Sequence, residues 1–233
     1  MADVPSVAEV RAYREKGFVV LRGVFKAWIP ALRRGADRND ADPSESALIH
    51  HEGGHEGRFL EDFCNWQRIP EYEEFVYNSP MGPLAAALME SRTAQFFHDH
   101  YLHKEADTGV ATPWHQDLPY YCVQGEQTVS FWIPLDPREE SVSLRCVVGS
   151  HRLSREIRPT SWSTQESFYE DDAAFMDMPD IEGGDYETES WAMELGDTVA
   201  FNFKTIHGAT PNVGPARSRT LSFRVLGDDV RFL

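Results

Sequence analysis

His115 and Asp117 stand two positions apart in Pro113-Trp114-His115-Gln116-Asp117, and His207-Gly208 follows far downstream. Side chains of an extended strand alternate between faces, so residues two apart point the same way. An imidazole and a carboxylate set side by side, joined by a second imidazole from a distant strand, make a three-point face for a metal ion. Two nitrogens and one carboxylate suit non-heme Fe(II) and leave positions open for a cosubstrate and O2. The chemistry of such a site is oxygenation.

His-x-Asp is a short pattern, and a chain with 9 histidines produces one by chance easily. Context strengthens this one. Pro113 resists helix on one side, and Leu118-Pro119-Tyr120-Tyr121 is non-helical on the other. His207 follows a strand-like run, Thr198 to Phe203, at a position where a ligand faces a cavity. Two other histidine groups compete. His50, His51 and His55 lie in a Gly-rich segment without a scaffold. His98 and His100, followed by His103, imitate the His-x-His of a cupin metal site. Hydrogen-bonded structural roles are the simpler expectation for these six, and a turn role for His151. Neither a G-x-S-x-G elbow, a P-loop nor a helix-opening G-x-G-x-x-G is present. Serine-hydrolase, kinase and nicotinamide chemistry therefore have no support.

These residues need rigid elements to hold them. Ser6 and Glu9 form a capping box for a first helix that Gly17 ends. Phe18 to Leu21 reads as a buried strand, and Trp28 to Gly35, Glu71 to Tyr77 and Pro80 to Met89 read as helices. The polar, Gly-rich stretch 37–57 reads as a long loop. From about residue 94 the pattern changes to strands. In Gln127 to Leu135, Val129, Phe131, Ile133 and Leu135 share one face, while Thr128, Ser130 and Trp132 share the other. Thr198 to Phe203 and Arg219 to Leu226 are further strands, and the acidic segment 159–190 reads as an insertion between strands. Helices followed by many short strands indicate an α+β chain with a mainly β core, a two-sheet barrel or jelly roll with N-terminal helices packed outside. A single domain over 1–233 is expected, mainly helical over 1–93 and jelly-roll over 94–233.

Composition bounds the partners. With formal charge −16 and pI about 4.9, the chain lacks the basic face of a nucleic-acid binder. No apolar run approaches the length of a membrane span. Cys64, Cys122 and Cys146 are scattered and form no CxxC pair, and the N-terminus lacks a signal-peptide pattern. A reduced, cytoplasmic protein is the expectation, with a small-molecule substrate, no nucleic-acid or membrane partner, and no heptad to indicate an oligomer.

With these motifs in view, the chain resembles the phytanoyl-CoA dioxygenase family of Fe(II)/2-oxoglutarate oxygenases. Glu15 to Phe25 is similar to the family's opening helix and strand. Pro113 to Tyr121 with Trp132-Ile133-Pro134-Leu135-Asp136 resembles its first metal-binding stretch and next strand. Val148 to Arg152 is similar to its Pro-Gly-Ser-His turn, and Leu195 to Phe201 with His207-Gly208-Ala209 to its second metal stretch. The ending Leu226 to Val230 is also similar.

The resemblance implies a double-stranded β-helix. It implies Fe(II) on His115, Asp117 and His207, with 2-oxoglutarate and O2 as cosubstrates and succinate and CO2 as products. Related halogenases replace the carboxylate by a small residue to admit chloride, so Asp117 favours hydroxylation and leaves desaturation and ring chemistry open. The family binds the far carboxylate of 2-oxoglutarate with an arginine about eleven residues after the second histidine. The eleventh position here is Ser218, between Arg217 and Arg219. Arg219 is the first expectation for that role and Arg217 the second. Trp132, Gln116, Thr128 and Lys104 are further candidates for the cosubstrate pocket. Arg145, Arg152, Arg155 and Arg158 offer a basic stretch for an anionic substrate, and Trp162, Phe168 and Tyr169 a lid. A cosubstrate-independent metal cupin and a non-catalytic jelly-roll binding module stay open as alternatives.

Overall fold

The computed structural model describes residues 4–161, 166–169 and 173–233. Four α-helices precede or flank the sheets: α1 (Val7–Lys16), α2 (Ile29–Ala41), α3 (Pro70–Asn78) and α4 (Met81–Met89). Eleven strands build two facing sheets. They are β1 (Phe18–Leu21), β2 (Leu48–His50), β3 (Phe59–Phe63), β4 (Gln95–Lys104), β5 (Thr112–His115) and β6 (Thr128–Pro134). After these come β7 (Leu144–Val147), β8 (Thr188–Ser190), β9 (Thr198–Phe201), β10 (His207–Ala209) and β11 (Ser218–Leu226). The larger sheet runs β1-β9-β6-β11-β4-β3-β2, and the smaller runs β8-β7-β10-β5. Every pairing within them is antiparallel. This is the jelly roll that the patterning indicated.

Local chemistry explains the entry to the fold. The Ser6 backbone N–H donates to Glu9 Oε2 at 2.6 Å, and the Glu9 N–H donates back to Ser6 Oγ at 3.3 Å. Gly17 ends α1 at φ 90°, where its N–H donates to Tyr13 O at 2.9 Å. A Cβ there would stand 2.5 Å from His151 Nδ1, so both conformation and space demand glycine.

The large sheet is buried on both faces, and alternation divides the labour. Val129, Phe131, Ile133, Leu221, Phe223 and Val225 face outward against Ile29, Leu32, Phe75 and Leu84 of the helices. Trp132, Val199 and Phe201 face inward, packing with Leu144 and Cys146 of the small sheet. The inward row of β11 is Ser218, Thr220, Ser222 and Arg224, polar residues that line cavities rather than core.

Two local readings are corrected. The N-terminal part carries, besides its helices and the expected β1, two strands the pattern did not show, β2 and β3, and all three join the large sheet. The Phe59-Leu60-Glu61-Asp62-Phe63 strand was disguised by its two buried carboxylates. Residues 37–57 are not one loop: α2 continues to Ala41 and β2 follows. The polar run Asp37 to Ala41 hides an amphipathic helix whose buried side is Leu32, Ala36 and Asn39. No described helix is long and apolar enough to cross a membrane.

Candidate active site

His115 ends β5 and His207 opens β10, and the two are direct partners in the ladder. Their ring centroids lie 4.2 Å apart. Asp117 is not on a strand. Its φ of −71° and ψ of −43° begin a helical turn, and the N–H groups of Asp117 and Leu118 both donate to Phe203 O, at 2.8 and 3.0 Å. That turn, rather than strand alternation, brings the carboxylate beside the imidazoles. Asp117 Oδ1 lies 3.6 Å from His115 Nε2 and 3.8 Å from His207 Nε2. The three ligand atoms fall within 4.8 Å of one another.

The surroundings fit a metal. His115 donates Nδ1–H to Pro113 O at 2.8 Å, and His207 donates Nδ1–H to Thr205 O at 2.9 Å. A carbonyl only accepts, so each Nδ1 carries the proton and each Nε2 presents its lone pair. Asp117 Oδ2 accepts from Ser130 Oγ at 2.8 Å and from Arg224 Nε at 3.3 Å. Burial would raise the Asp117 carboxyl, but the Arg224 charge and the two imidazoles hold it well below the usual range. Burial, then the neighbouring His115, pushes His207 down to about 3. The set thus turns two imidazole Nε2 atoms and one carboxylate toward a common point, the donors a divalent cation requires.

Two small cavities lead from this cluster into the barrel. The first, about 40 Å³, touches His115 and His207 and is walled by His100, Trp132, Ser222 and Arg224. His100 Nε2, Ser222 Oγ and Arg224 Nη1 are all buried there without a hydrogen bond. The second, about 30 Å³, shares Leu102, Thr112, Trp132 and Ala209 with the first and ends on Lys104, Arg138, Ser218 and Thr220. Lys104 donates Nζ–H to Thr210 O at 3.2 Å and sits 4.9 Å above the Phe59 ring. Arg138 donates Nη2–H to Arg219 O at 3.0 Å. Neither cation has a carboxylate within ion-pair distance among the described residues. Burial without such a partner pushes Lys104 down to about 7 and Arg138 to about 10.

Outside the metal cluster lies a third cavity of about 280 Å³. Phe63, Tyr120, Tyr121 and Phe168 give it aromatic walls, and His50, Glu61 and His100 a polar one.

The cosubstrate candidates scatter. Arg219 is on the outward face of β11, where Nη1 meets Asp37 Oδ1 at 2.7 Å and Nε meets Asp136 Oδ2 at 3.3 Å. Arg217 is exposed. The strand period, intact through the loop, keeps both out of the cavity. Trp132 and Lys104 line it. Gln116 instead ties the chain just before the insertion to the Phe203 turn, donating to Lys204 O at 2.5 Å and accepting from Ile157 N–H at 2.8 Å. Thr128 Oγ1 accepts from Phe203 N–H at 3.2 Å and supports the same turn. The basic stretch forms no cluster, since Arg145 pairs with Glu182 and Arg158 with Asp177. Phe168 lines the outer cavity, and Tyr169 donates its hydroxyl to Pro119 O at 3.4 Å. Trp162 lies outside the described residues.

Sequence reasoning missed Arg138, Ser222, Arg224 and Glu61. Arg224 carried a signal, since it shares a period-two face with three small polar residues.

Comparison with known proteins agrees with this geometry. The fold is similar to the α-ketoglutarate-dependent carbocyclase SnoK from nogalamycin biosynthesis, with a TM-score of 0.77 at 23% identity over 98% of this chain and 86% of that one. It is similar to the epimerase SnoN in complex with Fe3+, α-ketoglutarate and nogalamycin RO (TM-score 0.75, 18% identity, 97% and 84% covered). EctD from S. alaskensis in its apoform gives a TM-score of 0.75 at 16% identity, with 97% and 79% covered. No curated protein sequence matches. Residues 13–221 match the phytanoyl-CoA dioxygenase (PhyH) family, whose enzymes use Fe(II), 2-oxoglutarate and O2. Ordered motifs, jelly roll and a His-Asp-His cluster thus converge, and the chain belongs to the phytanoyl-CoA dioxygenase family.

Proposed function

We propose that the protein hydroxylates a small molecule, with the cosubstrate seated between the metal cluster and the Lys104–Arg138 pair. The carrying observation is that pair. Two buried cations with no carboxylate within ion-pair distance among the described residues, in a cavity that adjoins the one at the metal ligands, are costly unless a dianion arrives. His115, Asp117 and His207 would hold Fe(II), which with 2-oxoglutarate and O2 supplies the oxidising chemistry and releases succinate and CO2.

The chain's own residues bind, orient and exclude. Lys104 and Arg138 would take the far carboxylate of 2-oxoglutarate, and Trp132 would wall its carbon chain. Ser222 Oγ and Arg224 Nη1 offer unpaired donors near the metal end. Ser130 and Arg224 hold Asp117 in place by its outer oxygen. Asp117 also fills the position that halogenases leave to chloride, which supports hydroxylation. The three cysteines are free, in keeping with a reducing cytoplasm.

Anaerobic titration of Fe(II)-loaded protein with 2-oxoglutarate tests the reading. A weak charge-transfer band near roughly 500 nm is expected of a chelated keto acid, with loss in His115→Ala. Succinate release in a substrate screen follows. Iron-bound protein without the band would return the assignment to a cosubstrate-independent cupin or a binding module.

A further inference from the structure

We propose that the outer cavity takes an uncharged, ring-bearing substrate whose hydroxyl group is received by His50 and His100, two imidazoles oriented by Glu61. This rests on the reading above only in treating the cavity beside the metal cluster as the substrate site.

The polar wall is built across three strands. Glu61 lies between Leu48 of β2 and Leu102 of β4 in the ladder, and His50 and His100 are its diagonal neighbours on the same face. His50 Nε2 lies 2.7 Å from Glu61 Oε1. His100 Nε2 lies 3.0 Å from Glu61 Oε2, out of hydrogen-bond alignment and otherwise unpartnered. A ring nitrogen so close to a carboxylate oxygen carries a proton, because two lone pairs would repel. Burial opposes the Glu61 charge, but contacts with His100 and His50 outweigh it and bring the carboxyl down to about 2. Glu61 is thus a fixed anion that assigns Nε2–H to each histidine. In a neutral ring, the form burial favours for His100, the second nitrogen, Nδ1, is then an acceptor, the complement of a hydroxyl donor. His100 also stacks on Phe63 with centroids 4.0 Å apart, which sets its ring plane.

Charge and shape narrow the ligand further. Arg224 is the one lysine or arginine among the described lining residues, and it is paired to Asp117. Glu61 is enclosed at 2% exposure and engaged by His50. Among the described residues, no lysine or arginine free of a carboxylate stands here to receive a phosphate or sulfonate. Phe63, Tyr120, Tyr121 and Phe168 suit a ring system, and about 280 Å³ suits a small one.

The test is calorimetric titration of the full chain with 2-naphthol, 2-methoxynaphthalene and naphthalene-2-sulfonate, without metal and with Fe(II) and 2-oxoglutarate under argon. The naphthol is expected to bind about tenfold more tightly than its methyl ether, which leaves the acceptors unpaired, and than the sulfonate. His50→Phe, on the edge strand, should shrink that ratio to about twofold without affecting the charge-transfer band. His100→Phe serves as the second variant, with the same expectation for the ratio. Equal affinity for naphthol and ether, tightest binding of the sulfonate, or binding of none of the three overturns the proposal. A naphthol preference without a charge-transfer band would overturn the oxygenase reading and keep the hydroxyl site.

Discussion

Ser218 and Lys104 are direct partners across the ladder of β11 and β4. Ser218 occupies the position where the family resemblance called for arginine, and its partner supplies a cation to the same cavity. On the proposed reading, the positive charge comes from the neighbouring strand. Lys104→Met should therefore weaken 2-oxoglutarate binding by about 100-fold, and Arg138→Leu by a similar factor. Metal affinity should be unchanged in both. Arg219→Leu should cost stability, because the half-buried Asp136 is left with Arg33 alone, yet leave cosubstrate affinity within about threefold. Anaerobic calorimetry on the three variants separates these outcomes.

The same lysine makes binding pH-dependent. With its ammonium pushed down to about 7, Lys104 is charged below that pH and neutral above it in the free protein. A dianion binds the charged form, so binding above pH 7 must take up a proton. The dissociation constant for 2-oxoglutarate should rise with pH above 7, approaching about tenfold per unit. Lys104→Arg, whose charge does not titrate in this range, should flatten the profile. A flat wild-type profile between pH 6.5 and 8.5 would rule the lysine out as the anion's partner.

Arg224 and Asp117 are both buried, with Arg224 Nε 3.3 Å from Asp117 Oδ2. Without metal, removing the arginine strands an anion in the barrel. Arg224→Met should lower the stability of the metal-free protein by about 3–5 kcal/mol. A divalent cation supplies a new partner for Asp117, so Zn(II) should narrow the gap between variant and wild type. Thermal melts with and without Zn(II) check this. An equal loss in both states would leave Arg224 a purely structural role.

Phe223 lies on the other face of the same strand, its ring 4.7 Å from that of Phe75 and 6.2 Å from that of Tyr72. It ties the site-bearing sheet to α3. Phe223→Ala should cost about 3–5 kcal/mol, the range for emptying a buried aromatic site. Urea denaturation monitored by circular dichroism measures it.

The sequence made some of this plain and concealed the rest for physical reasons. The metal residues were legible because a metal needs particular atoms in a short pattern, and the outward face of β6 because apolar residues repeat at period two. The strand β3 was hidden by Glu61 and Asp62, buried acids whose partners come from distant segments. Arg219 misled because a buried arginine at a strand start looks the same in sequence whether it meets a ligand or two aspartates. Asp117 reached the right place by a turn clamped to Phe203, a contact that no local pattern announces.

The place of β11 has a consequence for synthesis. Of the strands described, the last long one in chain order is a central one, inserted between β6 and β4. Until residue 226 has emerged, both neighbours expose unpaired edges and the cavity lacks a wall. The nascent chain thus cannot assemble its metal-bearing barrel piece by piece. It must wait, with open strand edges in need of protection from other chains, for the one strand that closes both edges at once.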